Sequence, residues 1–172
     1  MARKREAKPP EPHPVSGAIK DVTESFLELA SPVVKIVNLE SILIEDCSAK
    51  RTPDAYKGMD ASKIVISFEQ AAIGRSKKAN QFNVFLKFVL KAFVKNEQES
   101  KNKTKKPAVE IMAKFVLVYS IPSFEGIDDK NLVAFGETSG VFTAWPFWRE
   151  YVHNSALRLS IPPIVLPTYR VT

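Results

Sequence analysis

Few side chains in this sequence could carry covalent or acid–base chemistry. His13 and His153 are its only histidines and Cys47 its only cysteine. His13 sits among Pro9, Pro10, Pro12, Pro14 and charged residues, a composition too polar to pack an orienting partner beside it. His153 falls on the charged side of a predicted helix, near Arg149 and Glu150. A solvated histidine is expected there rather than a general base. Cys47 follows Asp46 at a strand end, where neither a cation nor a helix N-terminus supports its thiolate. One cysteine allows neither an intrachain disulfide nor a thiolate metal cluster. Asp128 and Asp129 could form a carboxylate pair, but their place ahead of a short periodic run suits helix capping better. No GxGxxG, P-loop, HExxH or GxSxG pattern occurs. The residues therefore predict a protein that is not an enzyme, with no catalytic or metal-binding residues and no cofactor.

The chain has 172 residues, of which 45% are hydrophobic and 26% charged. That is enough to build one core without staples. Residues 1–15 lack the apolar stretch of a signal peptide, and no run approaches the length of a membrane span. A cytoplasmic protein with no membrane partner is the expectation. The net charge of +6 raises the question of nucleic acid. Residues 1–14 hold four basic residues against two acidic ones, and residues 95–107 hold five against two. The rest is nearly balanced. Nucleic-acid binders gather their charge on a folded face, so a solvated tail and loop are expected here, with no nucleic-acid partner.

The elements that would position any site follow from periodicity. Residues 1–15 read as a disordered basic tail and 16–172 as a single domain. Ile19, Val22, Phe26 and Leu29 predict a helix from Ser16 to Ala30, ended by Pro32. Val33–Glu45 reads as the first strand, with Ile36, Ile42 and Ile44 on one face and Val37, Leu39 and Leu43 on the other. Residues 46–62 read as a long crossover loop before a short strand carrying Ile64, Ile66 and Phe68. Phe82–Val94 alternates cleanly, and Ala108–Ile121 matches it. The two are predicted to form an antiparallel hairpin closed by Lys95–Pro107. Their second faces are not properly polar. Phe85, Val89 and Phe93 stand among lysines, and Met112, Val116 and Val118 occupy the matching face.

Near the C-terminus, Lys130–Phe135 is a short helical run that Gly136 and Gly140 should break. A second helix is predicted from Ala144 to Leu159, with Pro146 in its first turn and Pro162 and Pro163 beyond its end. Set Phe147 at about 0° and advance about 100° per residue; Tyr151 then falls near 40°, Trp148 near 100° and Val152 near 140°. The apolar arc covers about half the circumference, wider than one surface requires. Leu157 alone lies on the polar side. The arc predicts that Phe147, Trp148, Tyr151 and Val152 meet a second copy of the chain; the alternative is a helix wedged deep in the core of one copy.

Trp145-Pro146-Phe147-Trp148-Arg149-Glu150-Tyr151-Val152, followed by Ile161-Pro162-Pro163-Ile164-Val165-Leu166, resembles the SecB family of export chaperones. Those proteins open a helix with an aromatic-Pro-aromatic-x-Arg-Glu run and follow it with a short proline-containing extended segment. The element order is similar too, and the helix ahead of the first strand is most like the solitary SecB-like chaperones, some of which serve toxin–antitoxin systems. The resemblance implies an α+β fold: a four-stranded antiparallel sheet with a long first crossover and C-terminal helices packed on it. It implies a homotetramer, a dimer of dimers, that holds unfolded polypeptide clients without ATP. Export members are acidic and engage the translocation ATPase through that surface. This chain is basic and places Lys35, Lys87, Lys91 and Lys114 on its strands, which argues against that handover.

Clients would be held in grooves between the sheet, the crossover loop and the C-terminal helix, on apolar surface left open on the sheet. Phe85, Val89 and Phe93 are the candidate client-binding residues on the third strand. Ile36, Ile42 and Ile44 are the candidates on the first, placed in the same open surface. Two other classes compete: a structural subunit with a fixed assembly interface, and a nucleic-acid-binding module using the tail and the Lys95–Pro107 loop.

Overall fold

The structure is a computed structural model that describes residues 24–53, 59–76, 80–94 and 107–169. The predicted tail, the first half of the predicted N-terminal helix and most of the Lys95–Pro107 loop lie outside the described residues. Within them the order is α1 (Glu24–Val34), β1 (Asn38–Arg51), β2 (Met59–Ser76), β3 (Gln81–Val94), β4 (Val109–Ser120), α2 (Asp129–Phe135) and α3 (Val141–Arg158).

The strands form one antiparallel sheet in the order β1-β4-β3-β2. The clean alternation of β3 and β4 fixes its centre. Phe82 faces Tyr119, Leu86 faces Phe115 and Leu90 faces Ile111, and all of these are buried on the helix side. A one-residue slip would turn both rows to solvent, so the register is strongly specified. β1 and β2 occupy opposite edges, so the chain between them crosses the width of the sheet. That crossover is shorter than the sequence predicts, because both flanking strands extend into residues 46–62.

β1 departs most from its predicted form. Val33 and Val34 belong to α1, and Lys35 and Ile36 form the turn that closes it. Ile36 is thus not a strand residue. Pro32 lies inside α1, near its end. It removes one backbone donor without halting the helix, because Val33 beyond it is fully buried in the core. Within β1 the register shifts twice, between Leu39 and Ser41 and between Ile44 and Asp46. Each irregularity reverses the facing rule. As a result Leu39, Ile42 and Ile44 face the helix side, opposite Tyr119, Leu117 and Phe115, while Leu43 faces the other way, opposite Val116.

α2 begins with a reciprocal cap. Asn131 N–H donates to Asp128 Oδ1, and Asp128 N–H donates to Asn131 Oδ1, each at 2.9 Å. The Asn131 amide also donates to the Leu29 carbonyl at 2.9 Å, so one side chain ties the start of α2 to α1. The two glycines do not break the helix. Gly136 and Gly140 keep right-handed helical angles and bound a π-helical turn that joins α2 to α3. A β-carbon on Gly140 would stand 3.2 Å from Val84 Cγ1. Glycine is there because the helix lies against β3, not to end it. Pro146 is consequently inside α3 rather than in its first turn.

All three helices pack on one face of the sheet, with Ala30, Val33, Leu132, Phe135, Trp145, Trp148, Val152 and Ala156 sharing the core with β3 and β4. Phe88 is the centre of this contact, with ring contacts to Phe68, Phe115, Trp145 and Trp148. α3 ends in a left-handed cap at Ser160, φ 53°. Ile161 N–H donates to Ala156 O and Ser160 N–H to Leu157 O, the paired closing bonds of a Schellman end. The extended segment after it returns under the helix, where Trp145 Nε1–H donates to Pro167 O at 2.9 Å.

Candidate functional site

The face of the sheet turned away from the helices carries the candidate site. Period-2 alternation sends Phe85, Lys87, Val89, Lys91 and Phe93 to that face of β3. The register sets Phe85 against Val116 and Val89 against Met112. Val118 continues the β4 row beyond them. Leu43, 55% exposed, borders it from β1, and Val65, 42% exposed, from β2. Phe85 lies closely against the sheet, its ring 3.3 Å from where a β-carbon on Gly74 would sit. Phe85, Val89, Phe93, Met112 and Val118 are half-buried, and no described helix covers them.

The lysines in this surface are neutralised locally. Lys87 and Lys114 stand directly opposite one another, an unfavourable pairing by itself. Each turns outward to a carboxylate on the flanking strand: Lys87 to Glu69 on β2 at 2.7 Å, and Lys114 to Glu45 on β1. Lys91 pairs with Glu110 at 3.7 Å. The Lys114 ammonium also lies 5.6 Å from the centroid of the Phe85 ring. The surface is therefore an apolar band crossed by three ion pairs, with no net charge from those lysines. Those three lysines thus do not make this face basic.

Sequence reasoning placed Phe85, Val89 and Phe93 on this face, and they are there. It joined Ile36, Ile42 and Ile44 to the same surface, and the structure separates them. Ile36 sits in the turn after α1, Ile42 packs half-buried against the core on the helix side, and Ile44 is exposed on that same side. The two irregularities in β1 leave no trace in residue types, and they also hid Leu43 as a member of the outer face.

The predicted inter-subunit set on α3 divides as well. Trp148 and Val152 are wholly buried within the single chain. They fill its core and do not reach a second copy. Phe147 is exposed and Tyr151 half-buried. Burial, and then the Cys47 side chain on β1, push the Tyr151 phenol above its usual pKa. The Tyr119 phenol is raised by burial too, partly offset by Thr143.

The remaining candidates for chemistry stay apart. Cys47 is exposed on β1, His153 is exposed on α3, Asp128 is used as a cap, and Asp129 pairs with Arg75 at 2.8 Å. His13 lies outside the described residues. Among the described residues no group of three or more His, Cys, Asp and Glu could hold a metal ion, and no helix is long and apolar enough to cross a membrane.

No family model matches this chain, and no curated protein matches it in sequence. Its fold does have solved counterparts. The Rv1957 SecB-like chaperone of Mycobacterium tuberculosis, solved in complex with a ChAD peptide from the Rv1956 HigA1 antitoxin, superposes with a TM-score of 0.65 at 19% identity, over 85% of this chain and 96% of that one. A protein of unknown function from Streptococcus agalactiae aligns over 76% of this chain and 96% of its own at 11% identity, with a TM-score of only 0.32. The first likeness shows that this chain has the fold of a SecB-like chaperone; the second is too loose to carry weight.

Proposed function

We propose that this protein is an ATP-independent holdase that binds extended apolar segments of non-native polypeptides on the outer face of its sheet. The observation that carries the reading is the uncovered row of Phe85, Val89 and Phe93 beside Met112, Val116 and Val118, with its lysines cancelled in place. An apolar surface of this kind on a charged chain marks an interaction site. Burial of a client segment yields about 25 cal/mol per Å² of apolar area, from which ordering costs are subtracted. One such surface holds weakly, and several on one assembly hold well. Support for a peptide client comes from the SecB-like counterpart, solved with a peptide from an antitoxin. A cytoplasmic holder of an antitoxin or of export clients fits the same surface chemistry.

The reading includes a homotetramer built as a dimer of dimers. β1 supports it: this 14-residue strand lies at the sheet edge, and Leu39 and Ile44 are exposed on its helix side. No described element covers this long, partly apolar edge; such an edge is a template for a further strand, and a second copy of β1 is the proposed occupant. The test of holding is suppression of aggregation of an unrelated unfolded protein. Wild type is expected to suppress it at stoichiometric ratios, and Phe85→Ser with Phe93→Ser to lose most of that activity. Suppression unchanged in the double variant would remove the outer face from the reading.

A further inference from the structure

The ion pairs of the outer sheet face cancel in sum but not in arrangement. Side chains on that face fall into rows that cross the strands, about 6.8 Å apart, the rise of two residues. The first row is apolar: Leu43, Val116 and Phe85 stand opposite one another on β1, β4 and β3. The second is charged. Asp46, Lys114, Lys87 and Glu69 are successive partners from β1 to β2, and Glu45 reaches Lys114 from the irregularity in β1. The third sets Met112 against Val89. The fourth reads Lys50, Glu110, Lys91 and Val65, so unlike charges alternate there.

The second row differs from the fourth because its two bases meet at the centre and its acids stand outside them. Like charges directly opposite across a strand pair are destabilising. The carboxylates offset this only in part. Lys87 and Glu69 are 36% and 65% exposed, Lys114 and Glu45 40% and 46%, and ion pairs in such a setting are weak. A carboxylate laid over the seam between β3 and β4 would stand between the two lysines, away from their glutamates.

The apolar rows on either side set the spacing. An extended chain also repeats the side chains of one face every two residues, about 6.8 Å. Run along the seam, it can place one apolar side chain by Phe85 and Val116, the next side chain of that face over Lys87 and Lys114, and a third by Met112 and Val89. We infer that the outer face selects extended client segments in which an acidic residue stands two residues from an apolar one on each side, its carboxylate held between Lys87 and Lys114. The inference rests on the outer face as the holding surface and names the class of segment that surface takes. A basic residue at the same place sets a third positive charge beside two and is rejected. Apolar client surface that excludes water from the lysines strengthens their hold on the carboxylate.

The test uses the full chain and three labelled nine-residue peptides, with Phe at positions 3 and 7, Glu, Gln or Lys at position 5, and Ser elsewhere. Fluorescence anisotropy reads their binding. The Gln peptide reports apolar holding alone. At about 0.1 M salt the Glu peptide is expected to bind about tenfold tighter than the Gln peptide, and the Lys peptide more weakly than either. In about 1 M salt the preference is expected to shrink. Exchanging both pairs, Lys87→Glu with Glu69→Lys and Lys114→Glu with Glu45→Lys, keeps the net charge and moves the acids to the centre. The Lys peptide is then expected to bind tightest, with the Gln peptide unchanged. Should that chain fail to fold, Lys87→Gln with Glu69→Gln also keeps the net charge, and is expected to weaken the Glu peptide about threefold without affecting the Gln peptide. Equal binding of the Glu and Gln peptides by wild type overturns the inference and leaves holding standing. A preference for Glu that survives these substitutions overturns it too. A wild type that binds none of the three peptides overturns it together with the outer face as the holding surface.

Discussion

The indole of Trp148 stacks on the ring of Phe88, with centroids 5.5 Å apart and planes 17° from parallel. That contact joins the last helix to the middle of the sheet, and both residues are fully buried. Trp148→Ala should cost about 3–5 kcal/mol, the range for a large aromatic removed from a core. Trp148→Glu should leave the chain unfolded, since an unpaired buried carboxylate is added to the cavity. Urea denaturation checks the first and circular dichroism the second. A folded Trp148→Glu chain of reduced mass would place the indole at a subunit contact instead.

Phe85→Ser with Phe93→Ser makes the opposite case. Both rings are half-buried on an uncovered face, so the stability change should stay near 1 kcal/mol per site, well short of the core value. The loss should appear in client holding. Urea midpoints and aggregation suppression measured on one preparation separate the two effects.

Gly140→Ala sets helix propensity against packing. Alanine is favoured over glycine in a helix by about 1 kcal/mol. The added β-carbon would press Val84, itself fully buried, from 3.2 Å. Overpacking of this kind costs about 1–3 kcal/mol, so the variant should be less stable than wild type. A gain in the urea midpoint would mean that β3 yields at Val84.

Ser160→Gly should stabilise. The left-handed conformation at φ 53° costs a non-glycine residue about 1–2 kcal/mol. The added freedom of glycine in the unfolded chain returns about 0.4–1 kcal/mol of that. A net gain of roughly 0.5–1 kcal/mol is expected in thermal or urea unfolding.

Alkali should weaken the fold through the tyrosines. Burial raises Tyr119, Tyr151 and Tyr169 above the ordinary value of 10.0. Below about pH 10 folded and unfolded chains both keep the phenolic proton. Above it the unfolded chain releases protons first, so stability is lost as pH rises through the folded-state values. Tyr119→Phe should flatten part of that slope, read from urea midpoints across the alkaline range.

Much of the fold was legible because β3 and β4 alternate without interruption and each buries a full row. The capping aspartate and the prolines beyond α3, Pro162 and Pro163, were legible because each is a local signal with one dominant meaning, whereas the crossover was read too long and Pro32 was read as the end of a helix that runs through it. β1 was not, because its two irregularities change facing without changing composition. The glycines misled because Gly140 answers to Val84 across space, which neighbouring residues do not reveal. α3 misled twice. Its wide aromatic arc reflects depth of burial at Trp148 and Val152, while Phe142 fell outside a helix predicted to begin at Ala144.

Among the described residues of its own chain, β1 finds its backbone partner in β4: Asn38 pairs with Ser120 and Arg51 with Val109. During synthesis, β1 must therefore emerge and wait while β2, β3 and then β4 are made. The β2–β3 and β3–β4 neighbours can zip as they appear, and closing β1 onto β4 is the slow, long-range step. A nascent chain halted before Val109 offers an unpaired strand bearing Leu39, Leu43 and Ile44. A chain proposed to shelter unfinished polypeptides is, for that stretch of its own translation, one of them.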